Sequence, residues 1–165
     1  MEESENRKGK HQNSNNNKGE KLSQGERERR MAIFHYNEGN KFYKEKNYTE
    51  AVILYTKALH HNKKFKEALI NLSTAYMRTM VFEKALKTLQ AGQSQFPQEP
   101  LFDYNFACYH SLRKDLVSGL FALKQAVKKG FKQFKKIEND PDLINLRQLE
   151  EYKKWMEKVS SERAK

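Results

Sequence analysis

The residues able to do chemistry are few and badly placed for catalysis. Cys108 and His110 are a nucleophile and a base by type. At a separation of two on a helix, though, they point to opposed sides and cannot share a proton. His60-His61 stands near the end of an apolar-periodic segment with no cysteine or carboxylate at ligand spacing, so no metal centre is expected. No glycine-rich loop is present to cradle a phosphate. The sequence therefore reads as a chain that is no enzyme and needs no cofactor. What stands out instead is a column of amides: Asn37, Asn71 and Asn105 recur at a constant interval of 34. An Asn side chain offers one acceptor and two donors, enough to bond both edges of a peptide group.

The elements that must carry this column emerge when the sequence is slid against itself. A shift of 34 brings 32–65, 66–99 and 100–133 into register, the signature of stacked helical units. Gly39, Ser73 and Ala107 form one column of small residues; Ala51, Ala85 and Gly119 form a second, and Ala58, Gly92 and Ala126 a third. Helices approach closely only where a small side chain lies at the crossing, so these nine positions mark the crossings. Large residues fill the complementary columns, as in Phe42, Tyr76 and His110, or Tyr55, Leu89 and Leu123. Turns are expected at Lys46-Asn47 and Phe96-Pro97, and Gly130 is a good helix stop.

With Gly39, Phe42, Tyr48, Ala51, Tyr55 and Ala58 in the first unit and Leu72, Tyr76, Ala85 and Pro97 in the second, the chain resembles the tetratricopeptide-repeat family. The third unit is looser, with Gly119 in place of the usual alanine and His110 in place of the usual aromatic. The family's tryptophan position is occupied by His35, Leu69 and Asp103. The resemblance implies an all-α fold, a right-handed α-solenoid of three helical hairpins whose first helices line a concave face. After the third repeat, Asp140-Pro141 reads as an N-cap followed by Pro at the first helical position. From there Leu143, Leu146, Leu149, Tyr152, Met156 and Val159 form an apolar stripe, and 134–160 is expected to be a helical C-terminal cap.

Counting along the first helices places Tyr36, Asn37, Asn40, Tyr43 and Lys44 in the groove from repeat one. Repeat two adds Ile70, Asn71, Thr74, Met77 and Arg78; repeat three adds Leu101, Tyr104, Asn105 and Cys108. The expected ligand is another protein or an extended peptide. Tyr36, Tyr43, Met77 and Tyr104 would pack on its side chains, and the Asn column would hold its backbone. The same column is equally suited to supporting neighbouring helices, and both roles stay open at this stage. Lys44 and Arg78 share a column, so an acidic side chain could sit between them. In chaperone-binding members of the family, two asparagines and three basic residues grip a peptide's terminal carboxylates. The asparagines match Asn40 and Asn71, but the basic positions fall on Tyr36, Leu101 and Asn105, which removes the charge-assisted bonds of that clamp.

Thirty-two Lys and Arg against 21 Asp and Glu leave a formal charge of +11. It divides into about +2 over 1–30, +5 over 31–127 and +4 over 128–165, so no block concentrates it. Lys128-Lys129, Lys132 and Lys135-Lys136 are the densest cluster, and a nucleic acid or an acidic protein surface is the alternative partner. Residues 1–30 hold one leucine and no aromatic, and read as a disordered tail. No run of eighteen apolar residues is present, so no membrane contact is expected. A single cysteine and no signal-like apolar segment fit a cytoplasmic or nuclear adaptor, scaffold or assembly subunit.

Overall fold

A computed structural model describes residues 21–164, and every element among them is helical. Helices α1 (Gln24–Lys44) and α2 (Tyr48–His61) form the first hairpin, α3 (Lys66–Arg78) and α4 (Phe82–Gln95) the second, α5 (Pro100–Leu112) and α6 (Leu116–Lys128) the third. The cap consists of α7 (Phe134–Asn139), a 3-10 turn at Pro141–Leu143, α8 (Ile144–Arg147) and α9 (Glu150–Arg163). Each hairpin packs on the next through α2 against α3 and α4 against α5, giving an all-α solenoid.

All nine small-column positions are buried, which identifies them as the crossings. Two of them admit no Cβ. One added at Gly39 would lie 2.7 Å from Tyr55 Cε1, and one at Gly92 would lie 2.1 Å from Phe102 Cε1. Four helices end in one hydrogen-bond pattern. Asn47 N–H donates to Phe42 O (2.9 Å), Val81 to Tyr76 O (2.9 Å), Asp115 to His110 O (2.9 Å) and Phe131 to Ala126 O (2.9 Å). This Schellman closure requires a left-handed residue just before the donor. That residue is Gly130 in the last case (φ 104°), but Lys46 (62°), Met80 (59°) and Lys114 (62°) in the others.

One sequence expectation needs correction. The tail assigned to 1–30 overlaps α1, which starts at Gln24. Ser23 Oγ accepts from Glu26 N–H (3.2 Å) and Glu26 Oε2 accepts from Ser23 N–H (3.0 Å), a capping box that starts the helix in polar sequence. Residues 1–20 lie outside the described part of the chain. The capping helices are separate pieces: Leu149 is extended (φ −71°, ψ 129°) and divides α8 from α9. The break lets Leu143 and Leu146, both fully buried, face α5 and α6 while Tyr152 and Met156 close the end of the core.

Candidate functional site

The first helices of the hairpins are joined side by side through their asparagines. Asn71 Nδ2, on α3, donates to Asn40 Oδ1 (2.9 Å) and Tyr36 Oη (3.4 Å), both on α1. One repeat on, Asn105 Nδ2 on α5 donates to Ser73 Oγ (3.2 Å), Thr74 Oγ1 (3.2 Å) and Ile70 O (3.4 Å), all on α3. Each of these two column amides thus bonds back to the preceding hairpin, which gives it a structural role. Asn37 begins the column, has no earlier hairpin to reach among the described residues, and is exposed. Asn40 Oδ1 also accepts from Tyr55 Oη (2.8 Å), and burial pushes that phenol well above its ordinary pKa.

Above this floor lies a groove of about 460 Å³. Asn40, Tyr43, Lys44, Asn71 and Asn105 line it, together with Tyr55, Ile70, Thr74, Leu101, Gln133 and Lys136. Asn40 Oδ1 and Asn71 Nδ2 are committed to each other, while Asn40 Nδ2 and Asn71 Oδ1 make no hydrogen bond among the described residues. A donor group and an acceptor therefore remain unspent on two residues that line the groove, the complement of a peptide unit's C=O and N–H. Tyr43 is half-buried with its ring edge-on to Tyr48 at 5.0 Å. Burial raises its phenol pKa, against a smaller opposing effect of nearby Arg78. Lys44 is exposed at one wall; Lys136, exposed at the other, holds its Nζ 4.8 Å from the ring centre of Tyr104. Tyr36 stands behind the floor, its ring 4.8 Å from that of Phe65.

Four expected groove residues, Met77, Tyr104, Arg78 and Cys108, are not available to a ligand. Met77 is 4 % exposed and belongs to the core. Tyr104 is 1 % exposed, stacks on Phe131 at 4.4 Å and donates its hydroxyl to Asp140 Oδ2 (2.6 Å). Arg78 spends its guanidinium on Asp142, Nη1 to Oδ1 at 2.5 Å and Nη2 to Oδ2 at 2.8 Å, a bidentate pair that raises its pKa further. It therefore does not share an acidic ligand with Lys44. One cause explains Tyr104, Arg78 and Cys108: the segment from Phe131 to Leu143 lies across the concave side of α3 and α5. Sequence periodicity places residues on the face of a helix but does not tell what covers that face.

Cys108 lies under the same segment, and its Sγ converges with the Asp140 and Asp142 carboxylates within 4.8 Å. The donors are already used: Asp142 by Arg78, Asp140 by Tyr104 and by the Asp142 N–H (2.9 Å). Burial holds the thiol well above its ordinary pKa, so this is a structural polar network. Sequence reasoning did not place Lys136, Gln133 or Tyr55 in the groove. Tyr55 had a signal, since its column holds Leu89 and Leu123, and a lone hydroxyl among leucines calls for a polar partner.

A family model described as Tetratricopeptide repeat matches residues 42–104. A chloroplastic protein of Arabidopsis thaliana is 36 % identical over 74 residues, which is 43 % of this chain. The chain spans only 22 % of the length of that relative. Among solved structures, the first TPR of Spaghetti (RPAP3) bound to the HSP90 peptide SRMEEVD aligns with a TM-score of 0.60 at 16 % identity, over 83 % of this chain and 96 % of that one. The TPR2B domain of yeast Sti1, in its pHsp70 complex, aligns at 0.58 and 18 % identity over 74 % and 93 %. The Yersinia enterocolitica type III secretion translocator chaperone SycD aligns at 0.59 and 14 % identity over 81 % and 95 %. At such identities the structural likenesses speak to the fold. No helix among the described residues is long and apolar enough to cross a membrane.

Proposed function

We propose that this chain, a tetratricopeptide-repeat protein, docks an extended segment of another protein in the groove between α1, α3 and α5. One observation carries the reading: the unspent donor of Asn40 and acceptor of Asn71, two mutually bonded residues that line the groove. A peptide unit laid there satisfies both amides. Lys44 and Lys136 on the two walls favour a segment with acidic side chains, and Tyr43 supplies apolar contact. The solved relatives bound to the HSP90 peptide and to pHsp70 support peptide docking on this fold. The groove here uses its own basic residues, because the family's clamp positions hold Tyr36, Leu101 and Asn105. The groove is short, so affinity for an isolated peptide is modest and a second contact adds avidity.

The test is a peptide array read against the full chain and its Lys44→Glu/Lys136→Glu variant. Both lysines are exposed, so helicity is unchanged. Peptides that bind the native chain and lose about tenfold or more in the variant support the reading, a loss that matches removal of two charge-assisted contacts. Equal binding by both proteins refutes it. Retention on nucleic acid that falls steeply with salt would instead favour the basic surface as the functional feature. A cytoplasmic location belongs to the same proposal and competes with the plastid location in the relative's name; imaging the tagged full chain separates them.

A further inference from the structure

One wall of the groove is not part of the repeats. Tyr43 and Lys44 stand on α1, whereas Gln133 and Lys136 belong to the cap, at the start of α7. A helix of six residues, with no side-chain hydrogen bond at its N-cap among the described residues, does not hold its own position. Ile137, fully buried, anchors it to the core. Its far end is fixed from outside. Arg147 Nη1 donates to the carbonyls of Ile137 (3.2 Å) and Asp140 (2.6 Å), Tyr104 Oη donates to Asp140 Oδ2 (2.6 Å), and Arg78 grips Asp142 with both terminal nitrogens. Arg78 also reaches the opposite wall, because its guanidinium lies beside the Tyr43 phenol. It spans from one wall to the other without lining the groove itself.

Resting on the docking proposed above, we infer that Arg78 and Asp142 are positioning residues for the ligand: their ion pair sets the spacing between the α1 wall and the α7 wall. The pair tunes the affinity of the groove without touching its occupant. A charge-assisted hydrogen bond needs its heavy atoms within about 3 Å. A Lys136 that drifts by about an ångström loses such a bond, while Lys44, at the end of a 21-residue helix packed on α2, stays in place. Lys136 is aimed by Tyr104, whose ring centre lies 4.8 Å from its Nζ, and Tyr104 is tied to Asp140 on the same segment. The two walls also define the occupant. Successive side chains of an extended chain point to opposite sides, so two adjacent acidic residues meet Lys44 and Lys136 together only while the walls keep their spacing. Linkage makes the effect reciprocal: an occupant that bridges the walls holds the cap in place as the cap holds the occupant.

Calorimetric titration of the full chain with a blocked synthetic peptide, two adjacent glutamates flanked by leucines, tests this. Arg78→Met/Asp142→Asn removes the tether and leaves no unpaired buried charge, so the helical spectrum is kept. Its affinity for the peptide is expected to fall about fivefold or more. Arg78→Lys, which keeps the charge but not the two-point grip, is expected to fall between that chain and the native one. Alanine backgrounds separate positioning from a general loss of structure. Removing the tether should cost the same factor in Lys44→Ala and almost nothing in Lys136→Ala, where the group it positions is already gone. The peptide should also slow hydrogen exchange of the α7 amides in the native chain and not in the untethered one. If the peptide fails to bind, or binds Lys44→Glu/Lys136→Glu as tightly as the native chain, docking fails and the positioning role with it. If binding needs the lysines but is indifferent to the tether, or the tether costs the same in both alanine backgrounds, docking stands and the positioning role is overturned.

Discussion

Replacing Gly92 by Ala is the most direct test of the packing that shapes this solenoid. Alanine is the better helix former by about 1 kcal/mol, so on propensity alone the substitution stabilises α4. The tertiary contact opposes it. The new Cβ would lie 2.1 Å from Phe102 Cε1 and 2.5 Å from Cζ, where ordinary contact begins at 3.4 Å, so the ring must retreat by more than an ångström. Phe102 has nowhere to go: it is fully buried, parallel to Phe96 at 6.3 Å and packed among Leu69 and Leu89. Overpacking of this kind costs about 2–3 kcal/mol, leaving a net loss of about 1–2 kcal/mol. For a chain of this size that lowers the melting temperature by about 3–6 °C. Thermal unfolding followed by circular dichroism reads it directly. Gly25→Ala is the control, because a Cβ there meets nothing within 4 Å and only the propensity gain remains. Trimming the ring with Phe102→Leu in the Gly92→Ala background should recover part of the loss, a positive coupling between contacting sites. If Gly92→Ala raises the melting temperature as Gly25→Ala does, or if the two substitutions simply add, the crossing is not the constraint described here.

Arg78→Met leaves the Asp142 carboxylate, with 7 % of its side chain exposed, without its bidentate partner. It should cost about 3 kcal/mol in urea unfolding, and far less when Asp142→Asn is present as well. Lys46→Gly, Met80→Gly and Lys114→Gly each relieve a left-handed side chain at a helix end and should stabilise by about 0.5–1 kcal/mol. Gly130→Ala, at the equivalent turn, should lose a comparable amount on the same denaturation assay. The pKa of His35 lies below its ordinary 6.5, first because burial disfavours the cation, then because His61, stacked on it at 5.4 Å, and Lys57 repel the charge. The unfolded chain thus binds the proton more readily. The stability due to neutral His35 is complete above pH 6.5 and is lost as pH falls below it; His35→Phe should flatten melting temperature against pH on the acid side of that value.

The solenoid was legible because its grammar is local and repeated. Small residues at nine aligned positions and turn chemistry at Asn47, Pro97 and Gly130 depend on spacing alone, and spacing is what a sequence displays. Part of the groove floor was legible for the same reason: Asn71 and Asn105 sit where the period puts them, whereas Asn40 comes from counting along the first helix and Asn37, the first of the column, lies outside the groove lining. What the period could not convey was the irregular part. Asp140 caps the 3-10 turn as its sequence indicates, accepting from the Asp142 N–H, but the path of that segment over Arg78 and Tyr104 is set by long-range contacts. Met77 and Tyr104 were therefore placed on the right helix face and assigned the wrong neighbour. Ser23 and Glu26 carried a readable capping box inside a segment whose composition argued against structure, and composition outweighed the local signal.

The Arg78–Asp142 pair joins residues 64 apart in sequence and passes over a whole hairpin. In a plain repeat array each unit couples only to its neighbours, so the ends fray first and the middle last, like a one-dimensional Ising chain. A bond from the second hairpin to the cap adds a coupling between units that are not neighbours. The third hairpin is then enclosed between two parts that separate only together. Hydrogen exchange should accordingly give amides of α3, α5 and α8 a common opening free energy, with α9 and the start of α1 opening earlier. The molecule would unfold less like a stack losing units one by one than like a closed ring that has to be cut.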